Sequence, residues 1–555
     1  MRPLLPLLWC WAVAAAAAAR GPSAEPIFHV FAGHAGMMND PDGPFYDPLH
    51  GRVHLFFGVY PEPGLGPAKD QGGFRFWQHA VSNDTVYWRR LPDAIVPDGS
   101  ECDATGAHSG STTIVNGDPV ILYTGSLAAP AGSPPEATGA QVQCMARPKD
   151  RTDPDLKDWL RTGPLPLKAP QGNFRGNFRD DTTGWQTTVN GTKEWRVAVG
   201  ASMNFSGPRG VAAVYRSEDF RTFDPEPVAI IHGVDSQMLK LPNMWECPDL
   251  FQVDAPSIGE LWALKFSADP GMQDYYVLGE MITNFVNAKA WPGKGPALID
   301  HGSSYYASKS FEDKDGRRII WAWVKEETEC PRTERCSLQS LPRVVSVETM
   351  TIGPRDHQIL KFSPLPELKK LRNATTSLNE TKVQLKQGEL FVLPVRSPHA
   401  ELRVTVRREE LARCNESALQ LITLRSEGGA EQTTVRLGNL TAGSSAVHGR
   451  PADVRISIDR SKSAVPAASD SAVDSPTAHL SAQCTLQPDA KVEPLVDIHV
   501  YVDATIMEVF VQGGRVAMTT RVYPTNTNGG LALMSEGCAM ELETVEAHAL
   551  GSIWL

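Results

Sequence analysis

The sequence predicts an all-β protein in two folded parts, and three observations carry that reading. Its 555 residues exceed what one hydrophobic core serves, so length alone argues for two domains. Its 46 Gly and 43 Pro are spread along the whole chain, as many short strands joined by turns require. Strand-length apolar runs recur throughout, whereas no long stretch carries the apolar spacing of an amphipathic helix.

The elements follow in chain order. Arg2 precedes an apolar run over residues 4–19, and small residues lead to Pro22-Ser23-Ala24. A positive start, an apolar middle too short to span a bilayer and a small-residue exit describe a cleavable secretory leader over residues 1–24. Seven N-x-[ST] sequons at Asn83, Asn190, Asn204, Asn373, Asn379, Asn415 and Asn439 agree with a glycosylated, secreted protein that keeps no membrane span after cleavage. The net charge of −11 repels a nucleic-acid partner and leaves a neutral small molecule unaffected.

Five apolar runs stand out over residues 53–60 (VHLFFGVY), 120–124 (VILYT), 195–200 (WRVAVG), 261–267 (LWALKFS) and 318–324 (RIIWAWV). Each is rich in β-branched or aromatic residues and flanked by turn formers. Their starts fall 57 to 75 residues apart, enough chain for a four-stranded sheet and its loops. Repeated five times, that unit builds a β-propeller; a large sandwich with accidental spacing is the alternative.

After about residue 353 the texture changes. Residues 355–381 are polar, contain Pro and two sequons, and read as a linker between a domain at 25–354 and one at 382–555. The second domain carries strand-like runs at 402–406, 454–458, 498–502 and 507–511, with a Ser/Ala/Pro-rich insert at 461–477. A β-sandwich is the usual way to bury such strands. Of nine cysteines, Cys10 leaves with the leader. Cys330 and Cys336 are close enough in sequence to staple one loop, Cys414 and Cys484 are candidates for a staple in the second domain, and the connectivity stays open. No Cys/His cluster has zinc spacing, so no metal is expected.

Three segments carry candidate chemistry: Met38-Asn39-Asp40-Pro41-Asp42-Gly43, Phe178-Arg179-Asp180-Asp181 and Trp245-Glu246-Cys247-Pro248-Asp249. Singly, each has a plain structural explanation, since Asn-Asp-Pro-Asp-Gly is turn chemistry and Arg179-Asp180 suits a surface ion pair. In this order they resemble the signature of glycoside hydrolase family 32, the group of plant acid invertases and fructan hydrolases. Further matches extend the resemblance over nearly the whole mature chain: Trp88-Arg89-Arg90-Leu91-Pro92, Tyr306-Ala307-Ser308-Lys309-Ser310-Phe311, Leu341-Pro342-Arg343, Glu508-Val509-Phe510 and Thr520-Arg521-Val522-Tyr523-Pro524.

The resemblance implies a five-bladed β-propeller followed by a C-terminal β-sandwich, with no cofactor. It implies Asp40 as nucleophile, Glu246 as acid/base and Asp180 as transition-state stabiliser, with Asn39, Arg179, Ser109, Asp300 and Trp77 around the substrate. Glu508 and Arg521 read as structural, and Cys247 as a packed neighbour of Glu246. Retaining hydrolysis needs a nucleophile and an acid/base flanking one glycosidic bond, and the expected substrate is sucrose or a fructo-oligosaccharide. The expected activity is that of an invertase. A fructan exohydrolase, a fructosyltransferase or a weakly active carbohydrate-binding homologue is the alternative.

Several positions depart from the family pattern. Met37 stands for Trp, Asp42 for Asn, Asp181 for Pro, Gly58 for a substrate-contacting Gln, Gly72 for a pocket Trp and His108 for an aromatic residue, with Phe74, Phe76 or Trp77 as possible cover for the lost Trp. Asp300 matches an acid associated with sucrose as donor, while Ser303 stands where Lys is common.

Overall fold

The computed structural model describes residues 25–555 apart from 33–35, 62–74, 100–101, 130–139, 237, 239, 256–258, 281–286, 289–295, 327–336, 353–354, 415–418, 440–453, 464–476 and 480–493. The expected leader, Gly72, Phe74, the Cys330/Cys336 pair, Asn415 and most of the Ser/Ala/Pro-rich insert lie outside the described residues.

Five antiparallel sheets follow one another along the chain, and each contains one of the five apolar runs. The runs lie in Arg52–Pro61, Asp118–Ser126, Thr192–Asn204, Gly259–Asp269 and Arg318–Val324. Each of these strands is bonded on one side to the innermost strand of its sheet and on the other to the next strand outward. That explains why this strand is the legible one. It lies between neighbouring strands, and packing on both faces removes the polar alternation that an edge strand needs.

The innermost strands are Gly36–Asp47, Ala107–Val115, Asn173–Asp181, Met244–Ala255 and Tyr305–Glu312. Each touches the next in order, and the last touches the first, so the five sheets are the blades of a closed propeller. Among the described residues, no blade borrows a strand from another. The seam is closed by the N-terminal segment, where the Val30 carbonyl accepts the Gln339 N–H at 2.8 Å.

Two six-stranded sheets form the sandwich. Val404, Ile498, Val509 and Leu542 of one sheet meet Leu421, Val435, Ile456 and Leu533 of the other in a single apolar cluster. The expected runs at 402–406, 454–458, 498–502 and 507–511 all lie in its strands.

The stretch 355–381 is not a linker. Arg355–Pro364 is the outer strand of the fifth blade, Pro366–Leu371 is a 3-10 helix, and Arg372–Leu385 pairs with Met540–Leu550 in the sandwich. Polar composition misled the reading because strands facing solvent on one side carry polar residues as loops do. The Cys414 pairing also differs: its partner is Cys538, 124 residues on. A second disulfide joins Cys102 to Cys144.

The domains are locked together by buried charge. Arg343 is fully buried and donates to Asp300 at 2.8 Å, Glu508 at 2.6 Å and Thr519 at 2.6 Å. Both oxygens of Asp503 accept bonds from the backbone N–H groups of Ile27, Phe28 and His29 and from the His29 and His399 rings. The other nitrogen of His29 meets Glu508 at 3.2 Å.

Candidate active site

Each innermost strand carries a β-bulge that leaves one residue more on it than on its partner, and those of the first and third blades have a second irregularity as well. The irregularities fall at Asn39-Asp40, His108-Ser109, Asp180, Cys247-Pro248 and Ala307-Ser308. A bulge breaks the ladder and turns a side chain out of its alternating face, so five equivalent bulges aim side chains at one end of the central channel. At three of them a non-glycine residue takes a left-handed backbone: Asp180 at φ +71°, Cys247 at +42° and Ala307 at +55°. Such residues cost of order 1–3 kcal/mol each and persist where the surroundings impose them.

The carbonyls freed by the bulges are satisfied from below by two buried lysines. Lys309 donates to the carbonyls of Asp181 (2.8 Å) and Pro248 (2.9 Å), and Lys265 to those of Cys247 (3.1 Å) and Ser308 (2.6 Å). The floor is thereby tied across blades.

Three carboxylates converge above that floor. The Cys247 thiol lies 3.6 Å from Asp40 Oδ2 and 3.7 Å from Asp180 Oδ2, which places both acids around one sulfur atom. Arg179 links the other pair, with Nη2 2.5 Å from Glu246 Oε1 and Nε 3.9 Å from Asp180 Oδ2. The Tyr306 hydroxyl donates to Glu246 Oε2 at 2.5 Å, so both oxygens of that carboxyl are oriented. Asp180 Oδ2 also accepts the Cys247 N–H at 2.9 Å. All contacts of Asp40 among the described residues fall on Oδ2, from Ser109, Arg75 and Cys247, and Oδ1 is left without a bond.

Electrostatics mark this end of the channel. Burial raises the Asp180 carboxyl above the ordinary range, against the pull of Arg179 and with help from Glu246 and Asp40. Burial likewise raises Asp42 and Asp181 to about 8 each, opposed by Arg75 and Lys309 respectively. The Cys247 thiol is pushed well up by burial and by the two aspartates, which makes it a neutral packed group and not a nucleophile. Several acids with upward-shifted titration at one end of the channel mark a site where charge is managed for chemistry. Among the described residues, no group of three or more His, Cys, Asp or Glu side chains is placed to hold a metal ion.

The remaining candidates divide. Ser109 bonds Asp40, and Arg179 bonds Glu246, both at the site. Asn39 is buried beside Asp40 with its Oδ1 unbonded. Trp77 does not line the site. It is fully buried on Phe76–Ser82, the third strand of the first blade, with its ring against Phe56 and Tyr123 and its N–H on the His108 carbonyl at 3.0 Å. Asp300 is also elsewhere. Its oxygens are taken by Arg343, the Thr519 hydroxyl and the N–H groups of Gly302 and Thr519, in the seam between the domains.

The sequence divides in the same place as known proteins do. Residues 29–357 match Glycosyl hydrolases family 32 N-terminal domain, and residues 367–549 match Glycosyl hydrolases family 32 C terminal. The chain belongs to glycosyl hydrolase family 32. It is 31% identical to an acid beta-fructofuranosidase of Vigna radiata, over 91% of this chain and 76% of that one. It is 30% identical to a sucrose:sucrose 1-fructosyltransferase of Festuca arundinacea, over 88% and 73%. In fold it is similar to fructan 1-exohydrolase IIa of Cichorium intybus, with a TM-score of 0.77, 24% identity and coverage of 96% and 98%.

Within family 32, this member's first blade is where the site was least legible. Arg75 precedes the third strand of that blade, and its guanidinium lies against Asp42 (3.3 Å), Asp40 (3.4 Å) and Ser109 (3.0 Å). A Cβ built on Gly58 would stand 2.3 Å from that guanidinium, so the missing side chain at 58 is the space that Arg75 fills. Tyr306 was visible only as part of a longer motif, and Arg75 carried no signal beyond the neighbouring glycines.

Proposed function

We propose that this enzyme is a retaining β-fructofuranosidase that cleaves sucrose or a short fructo-oligosaccharide through a covalent fructosyl–Asp40 intermediate. The observation that carries the reading is the convergence of Asp40, Asp180 and Glu246 from three blades on one end of the channel, linked by Cys247 and Arg179. Relatives named beta-fructofuranosidase and fructosyltransferase share the first chemical step that this arrangement serves.

In this reading, Asp40 Oδ1 attacks the anomeric carbon of the fructosyl unit while Oδ2 stays held by Ser109, Arg75 and Cys247. Glu246 gives its proton to the departing glycosidic oxygen, so the leaving sugar departs neutral. Glu246 then takes a proton from the incoming water, which attacks the same carbon and releases Asp40 as a carboxylate. Arg179 and Tyr306 hold Glu246 in place for both proton transfers. Asp180, set by its left-handed backbone, accepts bonds from fructosyl hydroxyls that strengthen as positive charge develops on the ring.

Secretion and glycosylation belong to the same reading. The sequons at Asn83, Asn190, Asn204, Asn373 and Asn379 are all solvent-exposed, as glycan acceptors must be. Among the described residues, no helix is long and apolar enough to cross a membrane.

The test is release of glucose and fructose from sucrose at several pH values between about 4 and 7, with inulin and levan in parallel. Sucrose cleavage lost in Asp40→Asn and Glu246→Gln supports the invertase reading. Fructan cleavage without sucrose cleavage makes it an exohydrolase, and trisaccharide formed at high sucrose makes it a transferase. Binding without turnover of any fructoside overturns the catalytic reading.

A further inference from the structure

We propose that Arg75 is a positioning residue for the nucleophile, its guanidinium occupying the space left open at Gly58 and fixing Asp40 Oδ2 as a charged partner. The proposal rests on the reading of Asp40 as nucleophile. Three observations carry it. Arg75 is only 6% exposed and contacts Asp40, Asp42 and Ser109 with one nitrogen, Nη2. Any side chain at 58 would displace it, because a Cβ there comes within 2.3 Å of Nε and Nη2. Its backbone is anchored to the second blade, where the Ala107 N–H donates to the Arg75 carbonyl at 2.9 Å.

The groups around Asp40 come from every blade. Asp42 lies on its own strand, His108 and Ser109 on the second blade, Arg179 and Asp180 on the third, Glu246 and Cys247 on the fourth, and Tyr306 on the fifth. His108 is held neutral, its ring pushed down to about 3 by burial with Arg75 and Arg179 adding to it. Cys247 is neutral as well. Arg179 is engaged with Glu246 and Asp180. Asp42 is wholly buried and, raised to about 8, is protonated in the acid range, so it does not compete for the charge of Arg75. Among the described residues, Arg75 is therefore the cation in direct contact with the Asp40 carboxylate.

Arg75→Met frees Asp40 Oδ2 from its cation and is expected to lower kcat by up to about 100-fold, the scale of a misplaced reacting group, with KM little changed. Arg75→Lys recovers part of the rate, because a point charge lacks the planar fork. Gly58→Ala pushes the flexible guanidinium aside without removing it and lowers kcat by less.

A second readout needs no turnover. Carbodiimide labelling of Asp40 at one fixed pH in the folded protein, read by peptide mass spectrometry, runs faster in Arg75→Met and in Gly58→Ala, because Oδ2 loses the guanidinium that holds it. Wild-type protein inactive on every fructoside overturns the proposed function and leaves the labelling comparison to decide on Arg75. An unchanged kcat and an unchanged labelling rate in both variants overturn the positioning role. A loss confined to KM does so too, and makes Arg75 a substrate contact. If Arg75→Met does not fold, Gly58→Ala alone decides by the same labelling rate.

Discussion

The channel end and the domain seam are both buried, charged and built from the same residue types, yet they handle their carboxylates in opposite ways. At the seam every oxygen of Asp300, Asp503 and Glu508 has a donor. Burial there is overcome by the bonds: His29 and His399 hold Asp503 down to about 2, and Arg343 with His29 holds Glu508 below its usual value. At the channel end Asp40 keeps a bare oxygen, both oxygens of Asp181 lack a bond, and burial wins at Asp42, Asp180 and Asp181. Saturated carboxylates hold the domains together, whereas at the channel end Asp42 and Asp181 are wholly buried and Asp40 keeps an oxygen with bonding capacity to spare.

The largest effect that would sharpen this contrast is on activity alone. Asp40→Asn should lower kcat by about 10⁴-fold or more, the scale seen when a nucleophile or its activating partner is lost, with a melting temperature near that of the parent. If the melting temperature collapses as well, the separation between the two regions fails. The converse variant is Arg343→Met. It leaves Asp300 and Glu508 buried without their cation and should cost about 3–5 kcal/mol in denaturant unfolding, while kcat per folded molecule stays unchanged.

The pH dependence of stability separates the regions further. Asp503 titrates lower in the folded protein than in the unfolded chain, so its contribution is present above the ordinary carboxyl range and is lost as pH falls towards about 2. His29 titrates higher when folded, because its bonds to Asp503 and Glu508 outweigh burial. Its contribution is therefore complete in acid and is lost as pH rises through that raised value. Thermal melts of His29→Gln against the parent should show a difference that is largest at acid pH and shrinks on the alkaline side. A constant difference would mean that the ring is not charged.

Asp181→Asn is the smallest and has the opposite sign. The native acid binds its proton more tightly than the unfolded chain does, so the parent loses stability as pH rises from about 4 to about 8. Removing that burden should stabilise by up to about 1–3 kcal/mol at pH 8, the usual cost of an unsatisfied buried group, and by little at pH 4. No gain at pH 8 would show that the carboxylate has found a partner.

Much of this was legible in the sequence because the informative elements are locally determined. The five second strands are apolar on both faces, and the acids of the site sit within short motifs whose chemistry survives without neighbours. What was missed depends on three-dimensional partners. Trp77 carries the right chemistry for a sugar platform, but the third strand of its blade points it into the core. Asp300 has the right chemistry for a leaving-group contact, but Arg343, 43 positions later, claims it. Arg75 was invisible because its role depends on an absence at position 58. The outer strand at Arg355–Pro364 passed for a connector because Lys361 and Ser363 interrupt its apolar residues Ile359, Leu360 and Phe362.

The clasp at Asp503 also has a consequence for the order of assembly. The segment that closes the propeller precedes the first blade, while the carboxylate that pins it lies 474 residues beyond His29. Ile553 then bonds the Ile27 carbonyl, and Trp88 pairs with Ile553 and Leu555. The ring therefore has two kinds of fastening: Val30 to Gln339, which both lie in the propeller, and the bonds from Asp503, Ile553 and Leu555, which exist only once the sandwich strands are in place. A chain that carries only the five blades keeps the first and lacks the second.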